Sequence, residues 1–274
     1  MEYDKVYDQN DTQIYKIDER VYFRQTQWDP SQQCNGGYLL LEDGVAMVDA
    51  PGIAGTEQML DEIRELFGKP LRYLFLTHGH WDHADGLPLL FDMDITVVLT
   101  RQAHDRLLRE GKSLPKQRVI VDRSLGMRLD GLSIECFAYD GTLHSGEDLY
   151  ISLPKEGYLF TGDTVASFLH LYFVNADLER WTQCLDLLKA RGDQLLLCGH
   201  GPLREPDYYD EVKAYFLALQ SCLADVRAQA GGSVRGIESG TLDRLILDAS
   251  ASQQAAPVDI CAKHLHELLD REVS

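Results

Sequence analysis

The chain has 274 residues, 45% of them hydrophobic, which is enough apolar material for one large core or for a core with an appendage. Its 44 acidic residues against 26 Lys and Arg leave a formal charge of −18, which argues against nucleic acid and anionic membrane surfaces as partners, because both are gripped through Lys and Arg. No run approaches the ~18 consecutive apolar residues of a membrane span, and the acidic start Met1-Glu2-Tyr3-Asp4-Lys5 has no basic or apolar segment of a secretory signal, so a cytoplasmic protein is expected.

Residues 37–42 and 45–49 read as two strands around Asp43-Gly44, a dipeptide suited to a tight turn because both positions tolerate positive φ. Thr56 is the expected cap of a helix whose apolar positions Met59, Leu60, Ile63, Leu66 and Phe67 fall on one face. A strand over 71–76, a loop bounded by Gly79 and Gly86, a short helix and a strand over 95–99 follow. Further strands are expected over 132–139, 149–152, 158–161 and 194–198, with an amphipathic helix over 177–190 between the last two. Beyond Pro202 the pattern turns helical. Pro206 suits a first helical turn, and Val212, Tyr215, Phe216, Leu219, Leu223 and Val226 form an apolar stripe that Gly231-Gly232 ends. Shorter helices are expected near 242–247 and over 257–269. The six scattered cysteines, Cys34, Cys136, Cys184, Cys198, Cys222 and Cys261, contain no CxxC pair and read as reduced core residues.

One segment carries the chemistry. Thr77-His78-Gly79-His80-Trp81-Asp82-His83-Ala84-Asp85-Gly86 crowds three imidazoles and two carboxylates into ten residues at a strand end. Neutral imidazole and ionised carboxylate suit zinc and its borderline neighbours, and this spacing can aim ligands at two different ions from one loop.

The pattern His-x-His-x-Asp-His resembles the signature of the metallo-β-lactamase superfamily, and its later motifs follow in order. Gly141-Thr142-Leu143-His144-Ser145-Gly146 is similar to the third-motif histidine, Thr161-Gly162-Asp163-Thr164 to the bridging aspartate, and Cys198-Gly199-His200-Gly201 to the last histidine. The resemblance spans residues 20–205 and implies an α+β fold, a four-layer αββα sandwich over residues 1–204, with a helical C-terminal extension over 205–274. It implies that His78, His80 and His144 hold one metal and that Asp82, His83 and His200 hold a second, with Asp163 shared and Asp82 also the catalytic residue. Two divalent transition-metal ions are the implied cofactors, zinc first and iron or manganese as alternatives. The implied chemistry is hydrolysis of an ester, thioester or lactone by a bridging hydroxide.

Departures narrow the subfamily. Lactam-hydrolysing members have cysteine where this chain has Asp163, and nuclease members insert a large domain where only about 36 residues separate Asp163 from His200. Flavin-linked di-iron members carry glutamate where His80 stands. The ligand set is most similar to glyoxalase II and the lactonases. A mononuclear iron dioxygenase using His78, His144 and Asp163 is one alternative, and a non-catalytic binding member is another.

Trp81, His170 and Tyr172 are the candidate substrate contacts of a small-molecule substrate. Asp49 has two readings, a group that orients a ligand or the metal loop and a turn aspartate. His104, His264 and His266 are expected on helices as surface or packing residues. The tail is open to two roles, substrate selection and a packing or homodimer surface, and its twelve Asp and Glu against six Lys and Arg offer no basic cluster for an anionic tripeptide.

Overall fold

The computed structural model describes residues 3–27, 34–139, 141, 143–166, 171–173, 176–232, 234, 239–252 and 262–273. They fall into two compact units.

The first unit comprises Met1–Asp140, Ser145–Ser167 and Gly192–Glu205 and contains two sheets. The larger has eight strands in sequential order: β1 (Asp4–Gln9), β2 (Thr12–Lys16), β3 (Val21–Thr26), β4 (Gly36–Leu40), β5 (Val45–Val48), β6 (Leu71–Phe75), β7 (Thr96–Thr100) and β8 (Gln117–Val121). Strands β1 to β5 pair antiparallel, and β5 to β8 pair parallel. The parallel strands need crossovers. These are α1 (Ile53–Phe67), the short α2 (Trp81–Ala84) and α3 (Leu87–Leu90), and α4 (Arg101–Arg109). The smaller sheet has the order β13-β12-β11-β10-β9 and is built from β9 (Ser124–Leu129), β10 (Leu132–Phe137), β11 (Tyr150–Leu153), β12 (Tyr158–Gly162) and β13 (Leu195–Cys198).

Strand β5 shows why the central strands are continuous apolar runs rather than alternating ones. All four residues are buried. Val45 and Met47 join a core with Met59 and Ile63 of α1, whereas Ala46 and Val48 point the other way into a core shared with Ile151, Phe160 and Leu197 of the smaller sheet. The order helix, sheet, sheet is thus set by one period-2 switch per strand, and the chain forms the α+β sandwich that the resemblance implies.

Four local expectations need correction. The β4–β5 hairpin is closed by the Leu41 N–H donating to Gly44 O at 2.9 Å, and neither Asp43 nor Gly44 takes a positive φ, so this is not a two-residue turn. Helix α1 starts at Ile53 rather than beside Thr56, whose buried hydroxyl donates to Pro51 O inside the first turn. The metal segment is only half loop, because Trp81 to Ala84 form one helical turn, with Ala84 N–H donating to His80 O at 2.9 Å. Pro206 lies before the long helix, which begins at Tyr208.

The second unit comprises Gly141–His144, Phe168–Arg191 and Pro206–Ser274. It contains α5 (Leu178–Ala190), α6 (Tyr208–Gln229), α7 (Ser239–Ser252) and α8 (Ala262–Val273). The expected stripe of α6 is buried as a whole, from Val212 to Val226. Phe173, Trp181 and Phe216 make a cluster of edge-to-face and tilted rings at 5.0 to 5.7 Å, and His264 packs on Phe173 at 4.8 Å. No described helix is long and apolar enough to cross a membrane. Cys34, Cys136, Cys184, Cys198 and Cys222 are free and buried, and Cys261 lies outside the described residues.

Candidate metal centre

The site of the first unit is built where strands end. Strand β5 delivers Asp49, β6 runs into Thr77 and His78, β12 delivers Asp163 and β13 runs into His200. Asp49 takes a left-handed conformation, φ 63°, which turns its carboxylate back across the strand ends. Its Oδ1 accepts the Thr77 N–H at 2.7 Å, its Oδ2 accepts the Thr77 hydroxyl at 2.8 Å, and His83 Nδ1 donates to Oδ2 at 2.8 Å. The Ala50 N–H donates to His83 O at 2.8 Å, so the helical turn that carries His83 is tied to β5 by backbone and side chain together. Of the two readings of Asp49, the geometry selects the orienting one.

With Nδ1 engaged, the imidazole of His83 aims Nε2 at two carboxylates. It lies 3.2 Å from Asp163 Oδ1 and 3.7 Å from Asp82 Oδ2. Asp163 Oδ2 in turn lies 3.3 Å from His200 Nε2 and 3.9 Å from His78 Nε2, and His200 Nε2 is 3.1 Å from Asp82 Oδ2. One donor atom from each of Asp82, His83, Asp163 and His200 falls within 4.8 Å of the others. His78 and His80 stand beside this group, their ring centroids 4.6 Å apart and that of His78 4.1 Å from His83.

The electrostatics follow from burial and charge. Burial pulls His80 down to about 4, overriding Asp163 and Asp82. At His83 burial opposes the charged form, but the Cys34 sulfur together with Asp163, Asp82 and Asp49 outweighs it and holds the imidazole well above its ordinary value. His200 is raised to about 9 against its own burial by Asp163 and Asp82. Asp163 moves the other way, below the usual carboxylate range, because the pull of His200 and His83 exceeds the cost of burying its charge. Asp49, Asp82 and Asp163 therefore make a negative pocket around His83.

The fit to a divalent ion is direct. His83 Nε2 is buried and makes no hydrogen bond among the described residues, its ring is fixed by a carboxylate on the other nitrogen, and the nearby donors are imidazole and carboxylate.

Three further residues shape this centre without any signal in the motif. A Cβ on Gly199 would stand 2.1 Å from Asp163 Oδ1, so only glycine lets the chain after β13 pass the Asp163 carboxylate. Asn35 donates from Nδ2 to Cys198 O at 3.0 Å and to Gly201 O at 2.6 Å, clamping the turn that carries His200. Cys34 brings its sulfur to within 4.8 Å of donor atoms of Asp49 and His83, and burial pushes its thiol up to about 12. Gly199 was open to recognition from the small residues flanking His200, whereas Asn35 and Cys34 act across long stretches of chain.

His144 belongs to the second unit, where it is buried and its ring lies 6.0 Å from Trp181 and 6.5 Å from Tyr172. Trp81 and Tyr172 are 52% and 40% exposed. His170 lies outside the described residues. His104 pairs with Asp105 and His266 with Asp243, and His264 is a core residue of the second unit.

A buried histidine and carboxylate centre at the ends of strands in two stacked sheets defines a class of metal-binding α+β sandwich. The chain belongs to the metallo-beta-lactamase superfamily, whose profile matches residues 31–200. It is 28% identical over 156 residues to a hydroxyacylglutathione hydrolase of Ruegeria pomeroyi, covering 57% of this chain and 56% of that protein. It is 29% identical over 189 residues to a thioesterase of Emericella nidulans, covering 63% of this chain and 51% of that protein. The chain thus spans about half the length of the curated relatives it matches. A metallo-beta-lactamase from Pontibacter korlensis superposes with a TM-score of 0.67 over 75% of this chain and 99% of that one, at 20% identity, which establishes the shared fold. The named relatives support a hydrolase.

Proposed function

We propose that the chain is a dinuclear metal-dependent hydrolase of an ester, thioester or lactone. The observation that carries this reading is the position of Asp163, whose Oδ1 faces His83 while Oδ2 faces both His200 and His78. A carboxylate has two oxygens and can serve two ions about 3.5 to 4 Å apart, the spacing of two-metal hydrolases. In this reading His144 completes one ligand set with His78 and His80, and Asp82, His83 and His200 form the other. Zinc is the first candidate, with iron or manganese as alternatives. Such ions supply Lewis acidity and bring the pKa of water toward about 7.

The residues supply the rest. Asp163 and Asp49 set the distances, Asp49 by fixing the His83 tautomer through Nδ1. Asp82, part-buried with its Oδ2 3.1 Å from His200 Nε2, is assigned to orient the attacking water and accept its proton. Trp81 and Tyr172 are assigned to contact the acyl part of a substrate.

Thioesters are the favoured substrate class, because the two relatives described above are named a hydroxyacylglutathione hydrolase and a thioesterase; lactams are disfavoured, because lactam-hydrolysing members carry cysteine where this chain has Asp163. The group of Asp82, His83 and His200 also weighs against a mononuclear iron dioxygenase, in which these three ligands would stand idle.

Elemental analysis of reconstituted protein, paired with a panel of acyl thioesters, esters and lactones, tests the proposal. About two transition-metal ions per chain and turnover of at least one class are expected. One ion or fewer after reconstitution sinks the dinuclear claim, and two bound ions without turnover of any class sink the hydrolase.

A further inference from the structure

We propose that Glu147 is a positioning residue for the His78-x-His80 pair, setting the geometry of that half of the metal centre through the backbone amide between the two histidines. This inference rests on the metal-binding reading above. Its basis is a hydrogen bond from Gly79 N–H to Glu147 Oε2 at 3.1 Å, made across 68 residues of sequence.

What makes Glu147 the holder rather than the held is the number of other ties on it. Its N–H donates to Ser145 Oγ at 3.1 Å, and Ser145 Oγ donates to the buried Asp148 carboxylate at 2.9 Å. Its carbonyl accepts the Thr100 hydroxyl at 2.7 Å, the same hydroxyl that caps α4 by accepting from Ala103 N–H. Its Oε1 accepts from Arg106 Nη1 of α4 at 3.2 Å. Main chain and carboxylate are therefore fixed to α4 and to their own loop, leaving Oε2 aimed at one donor. The strap continues one residue pair further, where Leu149 N–H donates to Thr77 O at 2.6 Å.

Gly79 has no side chain with which to resist. A Cβ there would stand 2.7 Å from Glu147 Oε2, so the glycine is what lets the carboxylate reach the main chain. The peptide between two ligands at i and i+2 controls how far apart their imidazoles spread, and pinning its N–H removes that freedom. Asp49 does for His83, through the ring, what Glu147 does for His78 and His80 through the backbone.

The test is a competitive cobalt(II) or zinc(II) titration against a chromophoric chelator on the full-length wild type, Glu147→Ala and Glu147→Gln, with the cobalt d–d spectrum recorded at each step. For Glu147→Ala one of the two binding events weakens ten- to a hundredfold, the usual cost of losing a group that orients a ligand, while the other moves less than about threefold. For Glu147→Gln the amide oxygen still accepts from Gly79 N–H, so the weakened event returns to within about threefold of wild type and its spectrum is restored. Equal weakening of both events, no weakening, or a Gln variant as defective as Ala overturns the inference and leaves Glu147 a fold-stabilising residue. The two readings fail separately: a wild type that binds a single ion overturns the dinuclear centre, and a two-ion wild type whose titration Glu147→Ala leaves unchanged overturns only the role of Glu147.

Discussion

His83 and His264 are both fully buried, one in the sheet-bearing unit and one in the helical unit, yet their surroundings move them in opposite directions. His83 faces Asp49, Asp82 and Asp163 and is held well above the ordinary histidine value. His264 packs on Phe173 and meets the Tyr215 hydroxyl at 2.7 Å, and burial lowers it to about 4, with Lys263 adding to the effect. Desolvation works against charge at both, so the difference lies in the groups that face His83, the Cys34 sulfur and the three carboxylates. A buried histidine among aromatics is a neutral packing group. The same residue among three carboxylates is a place for a cation.

The most severe way to break that contrast is to remove the Asp163 carboxylate, which the proposed function shares between two ions. Asp163→Ala should deplete metal at both ligand sets and cost more than a hundredfold in activity, beyond the 10- to 100-fold typical of losing an orienting partner. His104→Ala, whose ring pairs with Asp105 and belongs to none of the candidate ligand groups, should stay within about twofold. Side-by-side metal analysis and turnover decide it, and equal behaviour of the two variants would take Asp163 out of the site.

Asp49→Ala should fall next in size. It frees the His83 ring and leaves the buried Thr77 N–H without its acceptor, so metal affinity should drop 10- to 100-fold and stability by about 1 to 3 kcal/mol. Chelator titration and urea unfolding read the two losses independently, and affinity within threefold of wild type would mean that Asp49 is only a turn residue.

His264 gives a pH dependence with the opposite origin. Its folded-state value of about 4 lies below the ordinary 6.5, so the unfolded chain binds more protons between them. The stabilising contribution is complete above pH 6.5 and is lost as the pH falls toward 4, amounting to about 2 kcal/mol between pH 7 and 5 at 1.36 kcal/mol per unit. Urea unfolding at both pH values should show a steeper acid loss for wild type than for His264→Phe by about that amount, and parallel losses would contradict it.

The smallest expected effect concerns Trp81. Because its side chain is half exposed, Trp81→Ala should leave melting and metal content unchanged while raising KM three- to tenfold and altering kcat less than twofold. An unchanged KM for every substrate would end its assignment to the pocket. Point variants are preferable to removing the chain beyond Gly232, because α7 and α8 pack on α6 and cover the buried Tyr215 and Phe216 core of the second unit.

The amino-acid sequence alone determined the ordered motifs, the central apolar strands and the long helix α6, because each is written in neighbouring residues. It failed at β1 for a definable reason. Strand β1 is exposed along most of its length and leaves no clean period, whereas the helix expected under His104 is α4, although it buries only Ala103 and Leu107 among charged residues. Within the centre, the motifs name the candidate ligands and leave Asp49 with two readings, whereas Asn35 and Glu147 carry no signal in the sequence. Asp49 reaches His83 across 34 residues, Asn35 reaches Cys198 across 163 and Glu147 reaches Gly79 across 68. Spacing in a motif reports which donors share a loop, but a carboxylate that fixes a ring or an amide does so by lying 3 Å away in space, and only the stacking of the two sheets brings strand ends so distant in the chain to that separation.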